Sequence, residues 1–149
     1  MSDKHISAFA DEVIQIMPQL IRGTIRRQPD AGSLGNVTVL QYLSLDLLDH
    51  HESLKMKEIA LHLSVSLPAA SGLINRLFST NLVERIYDKK DRRVIYIRLT
   101  PKGKKMVDKV RFQRRKAVIE MFGKLTQKER SQYLNILKRL LKTLYPQNQ

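Results

Sequence analysis

The sequence predicts a mainly α (α+β) fold, with one two-stranded hairpin set inside a run of helices. Three observations predict it. Apolar residues recur at helical spacing, as at Phe9, Val13, Ile16 and Leu20. Two capping boxes, Thr38 with Gln41 and Thr126 with Glu129, mark helix starts. From Val94 to Leu99 the period changes to two, with Ile95, Ile97 and Leu99 on one face and Val94, Tyr96 and Arg98 on the other. The order that follows is helix, helix, helix, helix, strand, strand, helix, helix.

The first helix covers about 4–27, and Pro18 is expected to kink it, because its ring clashes with the carbonyl four residues back. Pro29, Gly32 and Gly35 then punctuate a loose stretch from Gln28 to Asn36. The Thr38 box opens a helix to about Asp49 that buries Leu40, Leu43 and Leu47, with Val37 and Tyr42 as its hydrophobic staple. A short helix follows with Ile59, Ala60 and Leu63 on one face. Ser66 caps the next helix, and Pro68 is tolerated in a first turn whose N–H groups lack partners anyway. Its buried stripe is Ala70, Leu73, Ile74, Leu77 and Phe78, and Asn81 suits a left-handed stop. Leu82–Tyr87 and Val94–Leu99 form the hairpin. Thr100 and Pro101 open a long helix with Met106, Val110, Val118 and Met121 as apolar positions. The Thr126 box starts a last helix with Leu134, Leu137, Leu141 and Leu144.

The 149 residues suit one domain, 1–149, with a real core. The net charge of +13 is concentrated: residues 84–116 hold 14 Lys/Arg against 4 Asp/Glu. Such a field attracts a polyanion, nucleic acid first and anionic lipid second. The absence of Cys removes disulfides, thiolate metal sites and thiol redox sensing. No run of 18 apolar residues and no signal-peptide pattern is present, so a cytoplasmic location is expected. Catalysis has little to stand on, since no phosphate loop, nucleophile elbow or His-Glu-x-x-His occurs. No catalytic residue and no cofactor is assigned. Asp46, Asp49, His50, His51 and Glu52 form the one cluster that could serve a metal-responsive regulator, and a solvated helix corner is its plainer reading. The basic segment 102–122 could lie on a membrane surface, but its apolar face is needed inside the protein, so no membrane partner is assigned.

Two helices joined by Ser64-Val65-Ser66 make a helix-turn-helix, and the hairpin after them makes its wing. The second helix presents Ser66, Leu67, Pro68, Ala69, Ser71 and Gly72, with Asn75 and Arg76 deeper. Small groups suit thymine methyls and free N–H groups suit phosphate, so A·T-rich DNA read partly by groove shape is expected. The wing tip carries Lys89, Lys90, Arg92 and Arg93 toward phosphates and the minor groove. Asp88 and Asp91 are expected to orient the neighbouring arginines, because an Arg–carboxylate fork is geometrically specific. The terminal stripes, Phe9, Val13, Ile16 and Leu20 with Leu134, Leu137, Leu141 and Leu144, need cover from a second copy or from each other.

The stretch from Ser64 to Gly103, with its Asp88-Lys89-Lys90-Asp91-Arg92-Arg93 wing and Leu99-Thr100-Pro101-Lys102-Gly103 exit, resembles the core of the MarR-type transcriptional regulators. Lys90 stands where that family often has Arg. The resemblance implies a winged core over about 38–100. It further implies a homodimer built from the helices at about 4–27 and 101–145, with those terminal stripes at its interface. It also implies repression at an inverted-repeat operator in double-stranded DNA, released by a small, often aromatic effector, and entry of Arg93 into the minor groove. Arg92 is the competitor that hairpin register does not separate from it.

Overall fold

The computed structural model describes residues 2–25, 33–34 and 37–146. The elements are α1 (Ser2–Ile25), β1 (Ser33–Leu34), β2 (Val37–Thr38), α2 (Val39–Asp49), β3 (Leu54–Lys55) and α3 (Met56–Leu63). They continue with α4 (Leu67–Ser79), β4 (Val83–Tyr87), β5 (Ile95–Leu99), α5 (Pro101–Phe122) and α6 (Gln127–Leu144). The chain divides into two compact units, Gln28–Asp108 and Met1–Arg27 with Lys109–Gln149. The expected loose stretch contains a two-residue antiparallel ladder, Ser33 opposite Thr38 and Leu34 opposite Val37. Pro29, Gly32 and Gly35, and the Val37 side chain of the staple, lie outside the described residues.

In the first unit both expected caps are made. Thr38 Oγ1 accepts from Gln41 N at 3.2 Å, while Thr38 N donates to the Gln41 side chain at 3.0 Å. The α2 helix is buried on most of its circumference, from Tyr42 through Leu48, rather than along the Leu40–Leu43–Leu47 stripe alone; Leu40 is only half-buried. A helix enclosed on all sides reads as an apolar run, not as an amphipathic period. The hairpin is part of a larger sheet than expected. Leu54 and Lys55 pair antiparallel with Ile97 and Tyr96, giving strand order β3-β5-β4. Only Ile97 of the expected inward face is fully buried; Ile95, near the tip, is exposed. The α4 stripe holds at Ala70, Leu73, Ile74 and Leu77, but Phe78 is exposed. Asn81 takes the left-handed conformation with φ 59°.

At the start of α5, Thr100 Oγ1 accepts from Gly103 N at 3.0 Å and donates to Asn81 O at 2.5 Å. Lys102 Nζ donates to Thr80 O at 2.9 Å. A Cβ on Gly103 would collide with the Leu82 carbonyl, so only glycine fits beside that turn. The first two turns of α5 therefore fall in the same compact unit as the hairpin and α4, Gln28–Asp108. Val107, fully buried, replaces the half-buried Met106 and Val110 and the exposed Met121 as the main anchor of this helix.

In the second unit, Phe9, Val13, Ile16 and Leu20 of α1 form one core with Leu134 and Leu137 of α6, and Leu141 and Leu144 pack partly buried against it. These residues cover each other inside one chain. Helix α1 continues through Pro18. Phe9, Phe122 and Tyr133 stack at 5.1 Å and 4.8 Å between centroids. Arg130 is buried with its Nη1 donating to Leu125 O at 2.6 Å and Phe122 O at 3.3 Å, so its charge meets the carbonyl end of α5. Asp11 and Arg115, and Glu12 and Lys138, pair along the flanks. What stays uncovered on these helices is a different set: Phe112, Met121, Ile136 and Leu140.

Gly103→Ala forces backbone apart at the α5 start. It is expected to lower unfolding stability by about 1–3 kcal/mol, the usual range for overpacking, measured by denaturant titration against wild type.

Candidate nucleic-acid interface

Helix α3 ends on Ser64 in the left-handed conformation, φ 54°, with Val65 N donating back to Ala60 O at 3.1 Å. That tight stop turns the chain straight into α4. Ser66 then caps α4, its Oγ accepting from Ala69 N at 3.2 Å. The cap occupies one of the free N–H groups at this helix start and leaves others pointing outward. Ser66, Leu67, Pro68 and Ala69 are exposed, Ser71 and Gly72 half-buried, Asn75 and Arg76 exposed. The predicted outward face is thus the actual one.

Gly72 lies inside α4, where glycine costs about 1 kcal/mol relative to alanine. Among the described residues, nothing beyond its own stretch of helix backbone lies within 4 Å of the position a Cβ would take. Gly103, in the first turn of α5, and Gly123, in the turn just after that helix, differ: a Cβ there meets the Leu82 carbonyl and the Ile119 carbonyl. Internal packing therefore accounts for those two and leaves the smooth strip from Pro68 to Gly72 to be explained from outside.

The wing leaves the sheet at Tyr87 and returns at Ile95, closed by Asp88 N donating to Val94 O at 2.9 Å. Its two aspartates act differently. Asp91 grips Arg93 in a fork, Nε to Oδ1 at 3.1 Å and Nη2 to Oδ2 at 3.2 Å, and also accepts from Arg93 N at 3.0 Å. These bonds from Arg93 hold the Asp91 carboxyl below its ordinary value. Asp88 instead accepts from Lys90 N at 2.7 Å, so it shapes the turn and orients no arginine. That is a correction: both aspartates accept the backbone N–H two residues on, and that residue is Lys90 for Asp88 where it is Arg93 for Asp91. Lys89, Lys90 and Arg92 are exposed at the tip.

Behind the wing, Glu84 and Arg98 face each other across the ladder and pair. Lys55 Nζ lies 5.6 Å from the Tyr96 ring centroid. The sequence reading missed Arg85. It is exposed, two residues on from buried Val83 along β4, and its long side chain reaches partners on the neighbouring helix. It finds two on α4: Arg85 Nη2 donates to Asn75 Oδ1 at 2.6 Å, and its guanidinium carbon lies 4.7 Å from the Phe78 ring centroid.

The Asp46–Glu52 corner does not gather as a metal centre. His50 Nδ1 sits 2.7 Å from Asp46 O and His51 Nδ1 2.8 Å from Leu47 O, so both rings address the carbonyl end of α2. Asp49 pairs with Lys104 at 2.9 Å, a contact that with Asp108 raises the Lys104 ammonium above its ordinary value. Among the described residues no three His, Asp or Glu side chains come together to hold a metal ion.

The family model described as "MarR family" matches residues 37–95, from β2 to the start of β5. The chain is 35% identical over 104 residues to the HTH-type transcriptional repressor MdtR of Bacillus subtilis, covering 70% of this chain and 67% of MdtR. The chain belongs to the MarR family. The matched stretch spans about two thirds of MdtR and less of most other curated MarR relatives. Among solved structures, the YusO protein of Bacillus subtilis superposes with TM-score 0.61 at 30% identity, over 86% of this chain and 85% of YusO. The reduced form of MarR from E. coli gives TM-score 0.63 at 26% identity, over 71% of this chain and 79% of that one. The named relatives in the MarR family are transcriptional regulators, not enzymes. Among the described residues no helix is long and apolar enough to cross a membrane.

Gly72→Ala adds a methyl where the chain leaves open space. It is expected to raise unfolding stability by about 0.5–1 kcal/mol, read from the denaturation midpoint of the isolated protein.

Proposed function

We propose that the chain is a sequence-specific repressor that binds double-stranded DNA as a two-fold homodimer in the cytoplasm and lets go when a small aromatic compound binds. The observation that carries this reading is the smooth α4 strip, with its unfilled space at Gly72, in the same compact unit as a wing tip holding Lys89, Lys90, Arg92 and Arg93. A groove wall or a base edge fits against a helix stripped of side chains, and phosphates fit the cations beside it. Ser66, Pro68, Ala69, Ser71 and Gly72 lie along the major groove in this reading, with Asn75 and Arg76 further in. MdtR carries the name of a transcriptional repressor, which supports the sign of regulation.

The dimer surface is assigned to Phe112, Met121, Ile136 and Leu140, large apolar side chains left exposed on α5 and α6. Burying such residues favours association by about 25 cal/mol per Å² of apolar area before the entropy lost on pairing is set against it. A two-fold pair presents two α4 helices and two wings, so the operator is an inverted repeat with half-sites about 10 bp apart. Few base-specific donors line the strip, which favours A·T-rich sequence.

Selection from random DNA is expected to return such a repeat; a single asymmetric or G·C-dominated site overturns this reading. Arg93→Ala is expected to weaken operator binding by about 1–3 kcal/mol and relax choice at the outer base pairs. Lys89→Ala should weaken all sequences alike and lower the salt slope by about one. Affinities at several salt concentrations separate the two effects. Charge on the assigned surface, in the double variant Ile136→Glu with Leu140→Glu, is expected to give a monomer in sedimentation with helical content kept and operator binding lost.

A further inference from the structure

We infer that Arg85 is a positioning residue that sets what α4 reads through Asn75, turning its amide so that the nitrogen, not the oxygen, leads toward DNA. This rests on the DNA-binding reading above and adds to it the class of base that one position accepts. An arginine side chain has only donors, so the Asn75 atom 2.6 Å from Arg85 Nη2 is the oxygen. The two N–H donors of the amide therefore occupy its other branch. Phe78, exposed on the next turn of α4, stacks under the guanidinium at 4.7 Å and fixes its plane. The pair joins α4 to β4, so neither partner is free to swing without the other.

An asparagine that reads adenine uses oxygen and nitrogen side by side on one base edge. Here Arg85 draws the oxygen to the wing side and splits that fork. What remains for a base is a donor pair, and the edges that take donors alone are guanine, with N7 and O6, and thymine, with O4. Asn75 therefore selects guanine or thymine at one position in each half-site and discriminates against adenine and cytosine, whose exocyclic amines meet it donor to donor.

The test is relative affinity for operator variants carrying each of the four base pairs at every position, for the full chain and four variants. Wild type is expected to prefer guanine or thymine at one position whose preference vanishes in Asn75→Ala. Arg85→Ala releases the amide, so adenine gains about fivefold relative to the preferred base at that position, the scale of one hydrogen bond to a base edge. Arg85→Lys keeps the charge and a donor and should retain most of the preference. Asn75→Asp keeps the pair with Arg85 but presents an acceptor, which shifts preference toward cytosine and adenine. If Arg85→Ala weakens all four variants equally, Arg85 is only a cation near phosphate and the inference is overturned. The same holds if wild type is selective elsewhere but at no Asn75-dependent position. A wild type with no sequence preference at all overturns the DNA-reading proposal, and this inference with it.

Discussion

The pairing of Leu54 and Lys55 with β5 is the contact on which the rest of the winged core depends. A lone two-stranded hairpin is marginal in water. Two residues ahead of α3 convert that hairpin into the outer part of a three-stranded sheet with β5 in the middle. The central strand then holds Ile97 in the core at 1% exposure, while the outer end of the hairpin stays solvated. The same two residues run directly into α3, so the strand that steadies the wing and the helix that supports α4 are continuous chain. The position of the wing beside α4 is set by backbone hydrogen bonds, before any charged side chain takes part.

The helices were legible because their signals are local. Thr38 with Gln41, Thr126 with Glu129 and the Ser66 cap are made by residues three apart, and all three form as read. The α4 strip was legible for the same reason, since a helix with Ala70, Leu73, Ile74 and Leu77 inward leaves its other side known. Contacts between distant segments were not. Strand β3 has two residues and no period to detect, and its partners lie some forty residues on. Asn75 and Phe78 sit on a helix and Arg85 on a strand, so only the assembled core shows that they meet. At the Asp46–Glu52 corner each histidine Nδ1 sits on a carbonyl one turn earlier, and among the described residues no three possible ligands gather there. The terminal leucines were legible as an apolar face, and inside the chain that face packs on α1. Helix spacing tells which face is apolar, while the partner that covers it is a matter of topology.

The basic excess of the middle third also resolves into parts. Arg98 is matched by Glu84, Lys104 by Asp49 and Asp108, and Arg115 by Asp11. Exposed pairs of this kind contribute at most about 1 kcal/mol each to folding. Their larger effect is on the map of charge: they leave Lys89, Lys90 and Arg92 at the tip, and Lys105, Lys109 and Lys116 along α5, without such a match among the described residues. The net charge of +13 is thus directed to these places.

The Asp91–Arg93 fork carries that direction one step further. An arginine held by its own carboxylate meets a phosphate by exchanging one anion for another, so the gain on contact is a difference rather than a full ion pair. Asp91 is in effect a tethered decoy phosphate. In the proposed DNA complex, Arg93 then gains less on arbitrary duplex than a bare guanidinium would, which favours sliding and hopping. Where the minor groove is narrow and its potential deeper, the exchange tips toward DNA. If Arg93 enters the minor groove as proposed, one carboxylate on the wing trades grip on the wrong sequence for time to reach the right one.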